Sequence, residues 1–304
     1  NQLFVRHKHF EQGLFFEEFA VGPELFREGM RVMESYATTH NMPDGTENQQ
    51  MLGYNLMYLK DTGHSLRLLK AARKFRPHGN GEIDQWLSRP YWEEIVTEHR
   101  RERAVRLLRM TTTDGRGPIG LRTDRRPMPV SAIVEAFPEI GDDPESARII
   151  AWLDPKGDPR TPPQVRAETF PYGGYTWIRE SWDKQAAQAF MFCSPQPGAL
   201  AGFLSERNNN AVSLQAFGED LLVAGERGAY SRRPSPLRVD GLEQAFHLGQ
   251  GAPPPAWNNT DRHRFHDSSD FALIEGSYAG PYGVRPADLA DASANAEAYA
   301  RAVR

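Results

Sequence analysis

Near residue 160 the hydrophobic periodicity of this 304-residue chain changes, and that change restricts the fold more than any single motif does. Before it, apolar residues recur at helical spacing. Leu52, Leu56, Leu59, Leu66 and Leu69 lie along one such face, and Lys70, Arg73 and Lys74 follow where a helix carboxyl end favours cations. Phe16 to Tyr36 carries Phe19, Leu25, Phe26, Met30 and Met33 in a similar pattern, which predicts a second helix. A third is predicted from Tyr91 to Met110, and a short one at Pro144 to Leu153. Pairs of antiparallel helices are the simplest arrangement of such segments.

Beyond the change the chain reads as short strands separated by Gly, Asn and Pro. Tyr175–Arg179, Gln188–Cys193, Ala211–Phe217 and Leu221–Gly225 are the segments with strand character. In the third, Val212, Leu214 and Ala216 alternate with Ser213, Gln215 and Phe217, as a half-buried strand requires. Helices first and antiparallel strands second is an α+β order, and the short strands suggest a sandwich. No internal repeat is present in the sequence.

Composition narrows the function classes. The formal net charge is −4, and the basic clusters Arg100-Arg101 with Arg103, Arg125-Arg126 and Arg232-Arg233 are short and interleaved with acids. They read as solvated faces, and no nucleic-acid partner is expected. No apolar run approaches the roughly 18 residues that span a bilayer. The single cysteine, Cys193, lies in an apolar segment and reads as a core thiol; one cysteine forms neither an internal disulfide nor a multi-cysteine metal site.

One segment concentrates polar chemistry at the start of a strand. Glu206-Arg207-Asn208-Asn209-Asn210 sets three amides beside a guanidinium immediately before Ala211. Such a group suits a hydroxyl-rich ligand bearing a carboxylate; equally, it suits an Asn-rich turn, since Asn tolerates left-handed backbone. Upstream, Gln50, Tyr54 and Tyr58 recur every four residues and predict a polar-aromatic stripe distinct from the leucines, flanked by Asn48 and Asn55. Tyrosines in such a stripe either line a cleft or pack with their hydroxyls at a rim.

Several of these segments, taken in order, resemble the heparinase II/III family of polysaccharide lyases. Phe170-Pro-Tyr-Gly-Gly-Tyr-Thr-Trp-Ile-Arg-Glu-Ser-Trp-Asp183 is similar to the opening of that family's β-sandwich. Ala211 to Val223 resembles a following strand pair, Val239-Asp240-Gly241 a later V-D-G, and Phe271 to Tyr278 a segment ending in E-G-x-Y. Asp44-Gly45 with Gln50 through Tyr54-Asn55 is similar to a helix entrance in the family's helical part.

The resemblance implies a multidomain α+β chain, with a partial (α/α) toroid-type helical domain over residues 1–160 and an antiparallel β-sandwich over 161–304. The sandwich is expected to be incomplete at its carboxyl end, so that the chain is a piece of a longer protein. It further implies a periplasmic or secreted lyase that cleaves uronic-acid-containing glycans by β-elimination, with an acidic polysaccharide or oligosaccharide as partner.

At the positions where many members hold zinc, this chain has Glu206, Ala224 and Pro234. Alanine and proline side chains ligate nothing, so the family zinc is not expected; no cofactor is expected. His247, His263 and His266 are the residues from which another metal site could be assembled, but each reads as a surface or interface histidine. The family's histidine base falls near Leu204 and is missing. The expected catalytic residues are therefore Tyr54, Arg207, Asn208 and Asn209, with Asn48, Gln50, Asn55, Asn210, Tyr175 and His247 binding substrate. A catalytically silent relative that binds a glycan or a protein is the alternative. Hydrolysis by the carboxylates of Glu206 and Glu226 ranks below both.

Overall fold

The computed structural model describes residues 2–39, 42–46, 52–75, 90–115, 130–154, 161–193, 211–222, 243–244, 263–268, 271–276 and 282–284. Among these, six α-helices precede nine strands: α1 Gln2–Phe15, α2 Gly22–Thr39, α3 Leu52–Phe75, α4 Pro90–Arg109, α5 Val130–Ala136 and α6 Pro144–Leu153, then β1 Ala167–Phe170, β2 Tyr175–Arg179, β3 Gln188–Phe192, β4 Ala211–Ala216, β5 Glu219–Leu222, β6 Glu243–Gln244, β7 His263–Asp267, β8 Ala272–Gly276 and β9 Tyr282–Val284. The architecture is α+β, with every strand pairing antiparallel.

Local chemistry sets the helix limits. Asp143 caps α6, its Oδ2 accepting from Ser146 N at 2.8 Å, and Pro144 begins the first turn, where no amide hydrogen is needed. The helix expected from Phe16 begins instead at Gly22. Pro23 has no N–H to donate to the carbonyl four residues back, so a helix cannot run through it from Phe16. Phe16 and Phe19 therefore stand exposed in the turn between α1 and α2. These two helices approach closely at Gly29, where a side chain would collide with the Phe10 backbone.

Strands β1 to β5 form one sheet in sequence order. Tyr175 faces Phe192, Trp177 faces Phe190 and Arg179 faces Gln188; Gln188 in turn faces Gln215. That face packs on the helices. Leu107, Leu108 and Met110 from α4 and its end share an apolar cluster with Ile133, Ile149, Phe170, Tyr175, Trp177, Trp182, Phe190 and Phe192. A second cluster joins α1, α2, α3 and α4 through Phe10, Phe26, Met30, Met33, Leu66, Leu69 and Val96.

The alternation read in β4 is present, but its more buried face is the polar one. Ser213 and Gln215 point toward the helices and are buried, whereas Leu214 on the opposite face is exposed. Hydrogen bonding accounts for this, because Gln215 is held in a network that reaches the loop after α4. At the β4–β5 turn Phe217 adopts a φ of 58° beside Gly218 at 77°, and its ring is 80 % exposed. A left-handed residue with a Cβ costs roughly 1–2 kcal/mol, so Phe217 holds that turn against its own preference. Cys193 is buried and forms no disulfide, as a core thiol.

Candidate functional site

The arginines of α4 build the junction between helices and sheet. Arg100 and Arg103 are buried, which corrects the reading of that basic cluster as a solvated face; Arg101 alone stays outside, paired with Glu98. Arg100, Arg103 and Arg106 recur every three residues along one slanted row of the helix, and their forks meet carbonyls and aromatic faces. Arg100 Nη2 donates to Ala136 O while its guanidinium lies 5.1 Å from the Phe137 ring centre. Arg103 stands 5.8 Å from the ring of Tyr58. A guanidinium is weakly hydrated for a cation, which lets it be enclosed where an ammonium would not be.

Arg106 joins three parts of the chain. It is wholly buried; Nε donates to Gly45 O at 3.0 Å and Nη2 donates to Asn55 Oδ1. Its guanidinium also lies 5.9 Å from the ring centre of Tyr175 on β2. The loop before α3, the first turn of α3 and the sheet thus converge on one side chain. Asp44 closes the same junction from the rim. Its Oδ1 accepts from Thr46 N at 3.1 Å and Thr46 Oγ1 at 2.5 Å, and its Oδ2 accepts from Tyr172 N at 2.8 Å and Gly173 N at 3.2 Å.

The expected site residues divide by where they fall. Asn55 is fully buried and bound to Arg106. Tyr175 is also fully buried, against Phe190 and Phe192 at 6.1 and 5.2 Å, and an enclosed ring offers no face on which a sugar can stack. Tyr58 is buried as well, whereas Tyr172 is 46 % exposed. Tyr54 lies in the first turn of α3; its side chain, together with Asn48, Gln50, Arg207, Asn208, Asn209, Asn210 and His247, lies outside the described residues. Glu206, Ala224 and Pro234 fall there too, and among the described residues no three His, Cys, Asp or Glu come together as metal ligands.

Deeper along the junction a second polar layer crosses from α4 to the sheet. Arg109 Nη1 donates to Glu168 Oε1 on β1, and Arg179 Nη2 donates to Arg109 O at 2.8 Å. Arg179 also stacks 3.9 Å from the centre of the Trp182 ring. Beside it, Gln188 Nε2 donates to Gln215 Oε1 and to Thr113 Oγ1, and Gln215 Nε2 reaches Asp114 Oδ2 at 3.4 Å. Burial lowers the Arg179 pKa to about 9, with Glu168 opposing, which leaves the guanidinium charged at neutral pH.

Burial also holds the Glu168 carboxyl above its ordinary value of 4.5, with Arg109 opposing. A carboxyl whose pKa is raised binds its proton more tightly in the folded chain than in the unfolded one. The stability it contributes is complete below the ordinary value and is lost as pH rises through the folded value. Denaturation midpoints measured from about pH 4 to about pH 7 should contain this declining component, and Glu168→Gln should remove it. A Glu168→Gln profile parallel to that of the unaltered protein would rule the assignment out.

Sequence reasoning missed Arg106 and the bridging by Asp44. The three-residue recurrence of Arg100, Arg103 and Arg106 was the available signal. No protein-family model matches the chain, and no curated protein matches it in sequence.

Solved structures do share its fold. Heparinase III superposes with a TM-score of 0.52 at 16% identity, over 74% of this chain and 34% of that one. Heparan sulfate lyase HepC from Pedobacter heparinus gives 0.50 at 17% identity, over 74% of this chain and 32% of that one. A HepC mutant from the same organism gives 0.51 with the same identity and coverage. The present chain therefore spans about a third of the length of the structures it resembles. Among the described residues no helix is long and apolar enough to cross a membrane.

Proposed function

We propose that this chain is the whole or part of a polysaccharide lyase that cleaves a uronic-acid-containing glycan by β-elimination, without the zinc held by many relatives. The observation that carries this reading is the fold shared with heparinase III and heparan sulfate lyase HepC over 74% of the chain. The buried junction at the start of α3 adds support, because it fixes Asn55 one residue after Tyr54. In the same reading the chain divides near residue 160 into a toroid-like helical part and a sandwich part, and its setting is periplasmic or extracellular.

β-Elimination breaks the C5–H and C4–O bonds and forms a C4=C5 double bond. The C5 proton becomes acidic only when the neighbouring carboxylate is neutralised, which Arg207 does through paired N–H donors, assisted by Asn208 and Asn209. Tyr54 serves as base toward C5 or as acid toward the leaving oxygen. Asn48, Gln50, Asn210 and His247 bind the sugar hydroxyls. Asn55 and Tyr175 act from beneath, through Arg106.

Incubation with a panel of uronate glycans tests the reading, followed by the ultraviolet absorbance of the unsaturated uronate product. Growth of that band on at least one acidic polysaccharide is the expected result. Binding with no band and no new reducing ends would identify a silent glycan-binding relative. New reducing ends without the band would point to hydrolysis.

A further inference from the structure

Asp44 makes two different connections with its two oxygens. The Oδ1 bonds to Thr46 close a local turn just before α3, as an Asp side chain does when it caps its own backbone. The Oδ2 bonds reach the amides of Tyr172 and Gly173, which belong to the turn between β1 and β2 and lie 128 and 129 residues away. Gly173 is packed directly on Thr46, where a side chain would collide with Thr46 Cγ2 and Cβ. The next residue, Gly45, gives its carbonyl to Arg106, whose Nη2 holds Asn55. A single half-buried carboxylate therefore ties the sheet turn to the segment whose following residues are fixed from below by α4.

We infer that Asp44 is a positioning residue, setting the direction in which the amino end of α3, with Tyr54 and Asn55, meets the sheet. This rests on the lyase reading, in which Tyr54 is a reacting group. The bridge favours acceptors at both ends of the side chain, because three of the four contacting groups are backbone amides that only donate, with at least one at each end. Asparagine has nearly the same shape but only one acceptor end. Whichever way its amide turns, the NH2 faces at least one backbone N–H, so one of the two connections loses hydrogen bonds. Asp44 itself is half-buried and contributes no apolar side chain to either cluster, so the loss falls on orientation more than on the core.

The test compares Asp44→Asn and Asp44→Glu with the unaltered protein on the best glycan of the panel. Asp44→Asn should lower kcat by about tenfold to a hundredfold and leave KM within about threefold, since a misplaced catalytic group of ~1 Å costs on that order. Asp44→Glu keeps two acceptor oxygens and should recover part of the lost turnover. Unchanged kcat in Asp44→Asn, a Glu variant no better than Asn, or an Asn variant that cannot fold at all would each overturn the inference. If the unaltered protein shows no elimination on any glycan, the functional reading fails separately. Amide exchange in residues 52–58 then decides the clamp: about tenfold faster exchange in Asp44→Asn supports it, and unchanged exchange overturns it.

Discussion

Tyr54→Phe and Arg207→Ala are each expected to lower elimination turnover by a hundredfold or more while the protein still unfolds at its usual midpoint. In the proposed mechanism the first removes the hydroxyl that exchanges a proton with substrate, a role worth about 10²–10⁴ in rate. In the same proposal the second removes the charge that neutralises the uronate carboxylate. Without it the C5 proton keeps its ordinary acidity, and donors placed at developing charge commonly contribute about 10²–10³. Asn209→Ala should act in the same direction. Residues between strands contribute little to a core, so the loss belongs in kcat and not in the amount of folded protein. The rate of growth of the unsaturated product band and a denaturation curve for each variant decide the matter. Normal turnover in both Arg207→Ala and Asn209→Ala would make the asparagine run a turn, with the site elsewhere.

Trp182→Ala is expected to destabilise the protein by about 4 kcal/mol, near the upper end of what removing one core side chain does. The ring is 1 % exposed, and its Nε1 donates to Val165 O at 2.8 Å. It also carries the enclosed Arg179 guanidinium on its face, and the Trp182 carbonyl accepts from Trp152 Nε1 at 2.7 Å. Truncation therefore removes buried area, frees the Val165 carbonyl and takes the aromatic face from a cation that stays buried. Trp182→Phe keeps most of the area and loses only the donor and part of the stacking surface, so a cost of about 1–2 kcal/mol is expected. Urea midpoints at unchanged slope would report both values. A cost below about 1 kcal/mol for Trp182→Ala would mean that the ring is not part of the joint.

The elements most legible in the sequence were those whose signals are local. Pro144 to Leu153 is bounded by a capping Asp and a proline, and the helix and its expected limits coincide. Tyr175–Arg179 was readable from β-branched and aromatic content, and the helix expected from Tyr91 to Met110 lies within one residue of α4. Strand β1, four residues long, and helix α5, seven long, carry too few periods to stand out.

The side chains that form the junction were legible only in part, because their meaning depends on partners far along the chain. Asn55 could be read as a polar flank of an aromatic stripe, but Arg106, 51 residues on, decides what it bonds to. Gln215 sits at a position where hydrophobicity would prefer Leu214, and its inward direction follows from Gln188 and Asp114, which no local pattern connects to it. An arginine run likewise does not say which of its members faces inward.

The shared layer between α4 and the sheet bears on how such a chain can be inherited. Leu107 and Leu108 lie in one cluster with Phe190 and Phe192, and beside them the sheet offers Gln188 and Gln215 to Thr113 and Asp114. A sheet joined by recombination to an unrelated helical half would bring those amides to a surface with no matching donors and acceptors. The two halves are therefore not interchangeable modules.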